Sequence, residues 1–149
     1  MATNMYIQFE EPNTDRIEVL SWSHGFVQPT SASRSQSGGG TVEQASHQNL
    51  TFTKYLDHNT SFLMKACWSG TQIRKAVVTC YRAGSDNKPV KYLSITMENV
   101  IVANYSVSGG PGDIPVENIA LDYGIIRYDY IAQGQSDSAT HNLVTRSIE

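Results

Sequence analysis

Apolar and polar positions alternate with a period of two along most of the chain, the signature of strands with one face turned to a core. Residues 4–9 place Met5, Ile7 and Phe9 on one face, with Tyr6 and Gln8 on the other. Residues 16–28 read as a second, longer strand, with Ile17 and Val19 inward, a slip to Trp22 and Phe26, and Gly25 marking a bulge. In residues 49–55, Leu50, Phe52 and Tyr55 are assigned to one face, with Thr51 and Thr53 between them. Residues 71–82 set Ala76, Val78 and Cys80 against Val77, Thr79 and Tyr81. A turn at 83–89 joins that strand to residues 90–106 as a long antiparallel hairpin. In its second arm Leu93, Ile95, Met97, Ile101 and Ala103 share one side. Residues 116–131 turn Ile119, Leu121 and Tyr123 inward, change face at Gly124, and continue with Ile126, Tyr128 and Tyr130.

Only one segment changes period. Asn59 or Thr60 is positioned to cap a helix over about 60–69, and Gly70 to end it in a left-handed turn. On a wheel of about 100° per residue, Phe62, Leu63, Met64, Ala66, Cys67 and Trp68 sweep an apolar arc of roughly 240°. A surface helix needs a stripe only a little over 100° wide, so this one is expected to be covered from more than one side. The pattern predicts a mainly β fold: an antiparallel β-barrel or two packed sheets with one short α-helix. Residues 1–132 form the domain, interrupted by a Ser/Gly-rich excursion at 29–44, and 133–149 read as a polar C-terminal tail that Leu143 and Val144 anchor weakly.

Composition narrows the function classes. A chain of 149 residues supports one domain with a sizeable core. Net charge of −3 leaves no basic footprint for nucleic acid. No apolar run approaches the roughly 18–20 residues of a membrane span, and residues 1–12 lack the features of a signal peptide. Folding in the cytoplasm with Cys67 and Cys80 as free thiols is the expectation. Charge is segregated: residues 54–91 carry seven Lys/Arg against two Asp, or +5, which leaves −8 elsewhere.

Motifs that carry chemistry are scarce in the chain. His24, His47, His58 and His141 share no metal-ligand spacing, so neither a metal nor a cofactor is expected. No serine lies in a GxSxG elbow, and a triad from a serine, His24 or His58, and Asp57 exists only on paper. The glycine runs at 38–40 and 109–112 lack the lysine and following helix of a phosphate cradle. Tyr123, Tyr128 and Tyr130 form either a stacking platform or part of the core. No catalytic constellation emerges, and the chain is not expected to be an enzyme.

The motifs themselves are specific. The opening Met5-Tyr6-Ile7-Gln8, the run from Ile17 to Gly25 (IEVLSWSHG), and the run from Leu50 to Asp57 (LTFTKYLD) occur in order. They are followed by LMKACWSG from Leu63 to Gly70, YLSITM from Tyr92 to Met97, and ENIALDY from Glu117 to Tyr123. In this set the chain resembles the haemolysin-coregulated protein (Hcp) family, the tube subunits of bacterial type VI secretion systems, from Met5 to Tyr130. The resemblance implies a β-barrel with one helix, six copies of which close into a ring. Rings stack into a tube inside contractile sheath subunits, a VgrG-type spike caps it, and small secreted effectors ride in the lumen. The protein would be cytoplasmic before firing and then reach the extracellular space or a target cell, with neither nucleic acid nor membrane as partner. Segments 29–44 and beyond 131 lie outside the likeness. For ring stacking the protruding loop at Ser35, Gln36, Ser37, Gly38, Gly39 and Gly40 is the candidate. For the subunit interface the candidates are Met64 and Trp68, with Phe62, Leu63, Ala66 and Cys67 packing on their own barrel. The competing readings are a monomeric β-barrel ligand-binding module and a small hydrolase.

Overall fold

A computed structural model describes residues 4–28, 45–84, 88–132, 135–145 and 147–149. In chain order they form β1 (Met5–Glu10), β2 (Ile17–Glu18), β3 (Ser21–Ser23), β4 (Phe26–Val27), β5 (Ser46–His47), β6 (Leu50–Tyr55), α1 (Thr60–Ser69), β7 (Ile73–Ala83), β8 (Pro89–Ser108), β9 (Val116–Asp122), β10 (Ile125–Ala132) and β11 (Gln135–Asn142). The strand path runs β2-β1-β7-β8-β9-β6-β3, with β10 on β8, β11 on β10, and a separate β4–β5 pair. Every pairing is antiparallel. The mainly β class with one helix is the one the alternation predicts.

The 20-residue β8 is the spine. Its first half pairs with β7 on one edge and β10 on the other, and its second half pairs with β9. Strands β9 and β10 follow one another along the same edge, with Asp122 opposite Ile101 and Ile125 opposite Glu98. Between them the ribbon bends. Asn99 takes a left-handed φ of 57°, and the Gly124 amide donates to Glu98 O at 3.0 Å. A Cβ on Gly124 would meet Asn99 Cβ at 3.4 Å, so glycine suits the inside of the bend. The two halves of the ribbon close over one core, in which Ile7, Phe9, Val78, Ile95 and Met97 meet Leu50, Phe52, Ile119 and Leu121.

The bend corrects the face assignment of β8. Ile95 and Met97 are buried before it, Val100 and Val102 after it, and Ile101 and Ala103 point out. One left-handed residue has shifted the alternation by a step. Asn99→Val is therefore expected to lower stability by about 1–2 kcal/mol, since a β-branched residue tolerates positive φ poorly, and Asn99→Gly to be near neutral. Chemical denaturation of the two variants checks this.

The long strand expected over 16–28 is broken into β2, β3 and β4. The Val19 amide donates to Met5 O at 2.9 Å and the next amide, Leu20, to Thr53 O at 2.8 Å. The segment thus steps from the edge of β1 to the edge of β6. No ladder joins β2 to β3, so the architecture is two packed sheets whose seam is crossed by this segment, and not a closed barrel ladder.

Helix α1 buries Leu63 and Ala66 against the core, with Phe62 and Cys67 packed at its margin. Phe62 meets Phe9 edge-on at 5.7 Å. Gly70 ends the helix at φ 66°, its amide donating to Ala66 O at 3.0 Å. The start differs from expectation, because Asn59 makes no side-chain cap. Instead Asp57 Oδ1 accepts the Asn59 amide at 2.8 Å and Thr60 Oγ1 accepts the Asp57 amide at 3.0 Å.

The predicted tail is also corrected. Polar residues 135–142 form β11, paired with β10 from Ala132↔Gln135 to Ile125↔Asn142. The Leu143 amide donates to Gly124 O at 2.8 Å and its side chain packs on the core. The open edge of β10 supplies the drive, because unpaired amides and carbonyls accept a polar strand as readily as an apolar one.

Candidate functional site

A buried ion pair fixes the local geometry. The period of β6 turns Leu50, Phe52 and Lys54 inward, whereas Tyr55, expected on that face, is half exposed. Directly opposite Lys54 in the register stands Glu117 of β9, and both side chains are fully buried. Lys54 Nζ donates to Glu117 Oε1 at 2.6 Å, Asp57 Oδ1 at 3.0 Å and Tyr55 O at 3.0 Å, which uses all three of its protons. Glu117 Oε1 also accepts the Thr60 hydroxyl at 2.9 Å, and Oε2 the Tyr105 hydroxyl at 2.5 Å. Burial, then the hydrogen bond to Glu117, pushes the Tyr105 phenol well above its ordinary range. The knot ties β6, β8 and β9 to the start of α1.

On the opposite side of that sheet lies a broad polar face whose charge is confined to Asp122, at the end of β9. From strand to strand it presents Ser21 and Ser23, Thr51 and Thr53, Asn118 and Ala120, then Asn104 and Ser106. The Ser21 and Thr53 hydroxyls meet at 2.6 Å, as do those of Ser23 and Thr51. A shallow groove of about 540 Å³ crosses it, bounded also by His24, Gln48 and Asn49. The face offers neutral donors and acceptors to whatever lies before it.

At the edge of this groove the structure gathers three histidines that share no motif in the sequence. His24 Nε2 lies 2.6 Å from the Tyr123 hydroxyl, and His47 Nδ1 lies 2.7 Å from the same oxygen. His24 Nδ1 meets the Tyr128 hydroxyl at 2.5 Å, and His47 Nε2 meets His141 Nδ1 at 2.7 Å. The result is one chain: Tyr128, His24, Tyr123, His47, His141. Phe26 packs edge-on against His24, His47 and Tyr128. Burial, then the neighbouring His47, lowers the His24 pKa to about 4. Burial, then His141, lowers that of His47. Burial pushes the Tyr128 phenol up to about 12 and, with Tyr128 and Asp122 nearby, raises Tyr123 further.

These contacts settle other expectations. Tyr123 and Tyr128 are spent in the cluster while Tyr130 stands half exposed on β10, so the three form no common stacking platform. The paper triad is not assembled: His58 Nε2 pairs with Asp15 at 3.0 Å and Asp57 accepts from Lys54. Cys67 and Cys80 are both free thiols. Met64 is half buried on α1, and Trp68 is 78 % exposed. Ser35, Gln36, Ser37, Gly38, Gly39 and Gly40 lie outside the described residues.

Comparison with known proteins identifies the family. Residues 8–130 match the family model described as type VI secretion system effector, Hcp. The chain is 37 % identical over 142 residues to protein Hcp1 of Pseudomonas aeruginosa, covering 89 % of this chain and 86 % of that protein. It is 22 % identical over 137 residues to the "Major exported protein" of the same organism, covering 87 % and 77 %. The crystal structure of Hcp1 from Salmonella typhimurium superposes with a TM-score of 0.81 at 26 % identity, over 100 % of both chains. With the matched model spanning most of both sheets and the helix, the chain belongs to the Hcp family of type VI secretion proteins.

Proposed function

We propose that the chain is the structural subunit of a type VI secretion tube. Six copies close into a ring, rings stack into the inner tube, and sheath contraction expels the tube behind a VgrG-type spike with small effectors in its lumen. The subunit waits in the cytoplasm and leaves on firing, a destination in keeping with a relative named as a major exported protein. The role is mechanical and not catalytic.

The observation that carries this reading is the face of β3, β6, β9 and the second half of β8, on which Asp122 at the end of β9 is the single charged side chain among the described residues. A solvent face of a soluble protein ordinarily carries Lys, Glu, Asp or Arg, and a face made for tight association carries large apolar groups. This one carries hydroxyls and carboxamides. Such a wall stays wetted and holds a polypeptide cargo neither by salt bridges nor by apolar burial, which suits the lining of a conduit. On the helix, Trp68 and Met64 are the proposed contact with the neighbouring subunit, and Ser35 to Gly40 the proposed contact between stacked rings.

Size-exclusion chromatography with light scattering tests the reading. The expected mass is near six times 16.5 kDa, with rings in negative-stain images. Deleting Ser35 to Gly40 is expected to preserve that mass while reducing tube formation. A monomer at high concentration would overturn the ring and return the groove to a ligand-binding module. Unchanged tubes after the deletion would overturn the stacking role.

A further inference from the structure

The histidine–tyrosine chain has a proton capacity that its connectivity fixes. Its four hydrogen bonds need one proton each, and with every ring neutral they are filled by a run of donors all pointing one way: Tyr128 to His24, His24 to Tyr123, Tyr123 to His47, His47 to His141. The reverse run serves equally. One added proton on any of the three imidazoles is also accommodated, because the donors then point outward from that ring in both directions.

A second proton is not. Two imidazoliums donate toward each other, and somewhere between them a bond must carry two protons. Between His24 and His47 both N–H groups would aim at the Tyr123 oxygen, leaving its own hydroxyl proton without an acceptor at a residue only 5 % exposed. Between His47 and His141 two N–H groups would face each other across 2.7 Å.

What these bonds hold together is specific. His24 and His47 belong to β4, β5 and their immediate flanks, and Tyr123, Tyr128 and His141 to the ends and strands of β9, β10 and β11. We propose that the cluster is an acid-responsive latch that fixes the β4–β5 ladder to the β10–β11 hairpin, tolerates a first proton and is broken by a second. The surrounding groups leave the imidazoles to decide the outcome. Asp122, beside Tyr123, turns to the other face and accepts the Tyr123 amide at 3.0 Å. Arg127 and Asp129, flanking Tyr128, pair with each other at 3.0 Å. Among the described residues the hydrogen bonds of these three imidazoles to other side chains run to the tyrosines and to one another, and His24 has in addition the neutral Gln48 backbone, which favours its protonated form without reversing the effect of burial.

The sign follows from burial. The His24 and His47 pKa values lie below the ordinary 6.5 in the closed form, His24 at about 4, so the open form binds more protons across that interval. The latch is therefore fully closed above about pH 6.5 and loosens as pH falls toward 4.

Hydrogen exchange with mass spectrometry on the full assembled chain tests this. The Gln48 amide, which donates to Gly25 O at 3.0 Å, reports the latch, and β7 amides report the core. Corrected for intrinsic exchange, Gln48 protection is expected to fall by up to about 100-fold per pH unit on acidification, the slope of a two-proton step, while β7 stays protected. Tyr123→Phe removes the shared oxygen and should reduce the slope to about tenfold per unit or less. His47→Gln keeps an amide between Tyr123 and His141 without a titrating ring, and should hold Gln48 protected to lower pH. The proposal is overturned by a one-proton slope in the wild type, by loss of β7 and Gln48 protection together, or by a wild-type profile in both variants.

Discussion

Glu117→Ala is expected to lower the free energy of unfolding by about 3–5 kcal/mol, a large share of the roughly 5–15 kcal/mol that holds a domain folded. The loss comes less from the missing attraction than from what is stranded. Lys54 would stay fully buried with only Asp57 Oδ1 and Tyr55 O as acceptors, and the Tyr105 and Thr60 hydroxyls would lose theirs. Replacing both ions, Lys54→Met with Glu117→Leu, should recover much of the loss, since well-packed apolar substitutes for a buried pair are often neutral. Urea denaturation of Lys54→Met, Glu117→Leu and their double gives the cycle directly, with Glu117→Ala measured beside it. A cost below about 1 kcal/mol for Glu117→Ala would place the pair among weakly contributing surface bridges.

Lys54 also shows where the sequence could be read and where it could not. The period of two was visible through Leu50 and Phe52, and a strict count puts Lys54 next on that face. Tyr55 falls one step off that period, and Glu117, two positions before Ile119, gives the matching signal from the partner strand. Asn99 is a different case. Its left-handed backbone reverses the faces of β8, yet an asparagine in a strand pattern reads as one more outward polar residue. For the histidines there was no local signal at all. Positions 24, 47 and 141 meet only because β11 lies beside β10, and β11 itself has no alternation to betray it. The helix, by contrast, was legible from its caps and its change of period, and the two-sheet class from the lengths of the alternating runs.

Trp68→Glu is expected to convert the proposed ring to monomers. Complete burial of a tryptophan removes about 150–250 Å² from water, worth roughly 4–6 kcal/mol at 25 cal/mol per Å², and Trp68 reaches only part of that within its own subunit. A carboxylate in its place both forfeits this and carries a charge into a dry contact. The fold itself should be nearly indifferent, changing by about 0.5 kcal/mol or less, because the side chain is 78 % exposed. Light scattering at matched concentrations separates the two effects, with Trp68→Phe as the control that keeps the ring. A ring undisturbed by Trp68→Glu would move the subunit contact elsewhere and leave the wide apolar arc of α1 as an internal matter.

The shared spine has a mechanical meaning. Ladder hydrogen bonds lie across the strand direction, so a force applied along β8 meets the bonds to β7, β10 and β9 side by side. Such a strand yields in shear, where many bonds must fail at once. It does not unzip, a mode in which they fail singly. Because β8 passes through both sheets, a force applied at the Pro89 end would reach the Ser108 end without crossing a loop. Peeling has to begin at the margins, the short β2 and β3 or β11, and those are the parts of the molecule least suited to carry load.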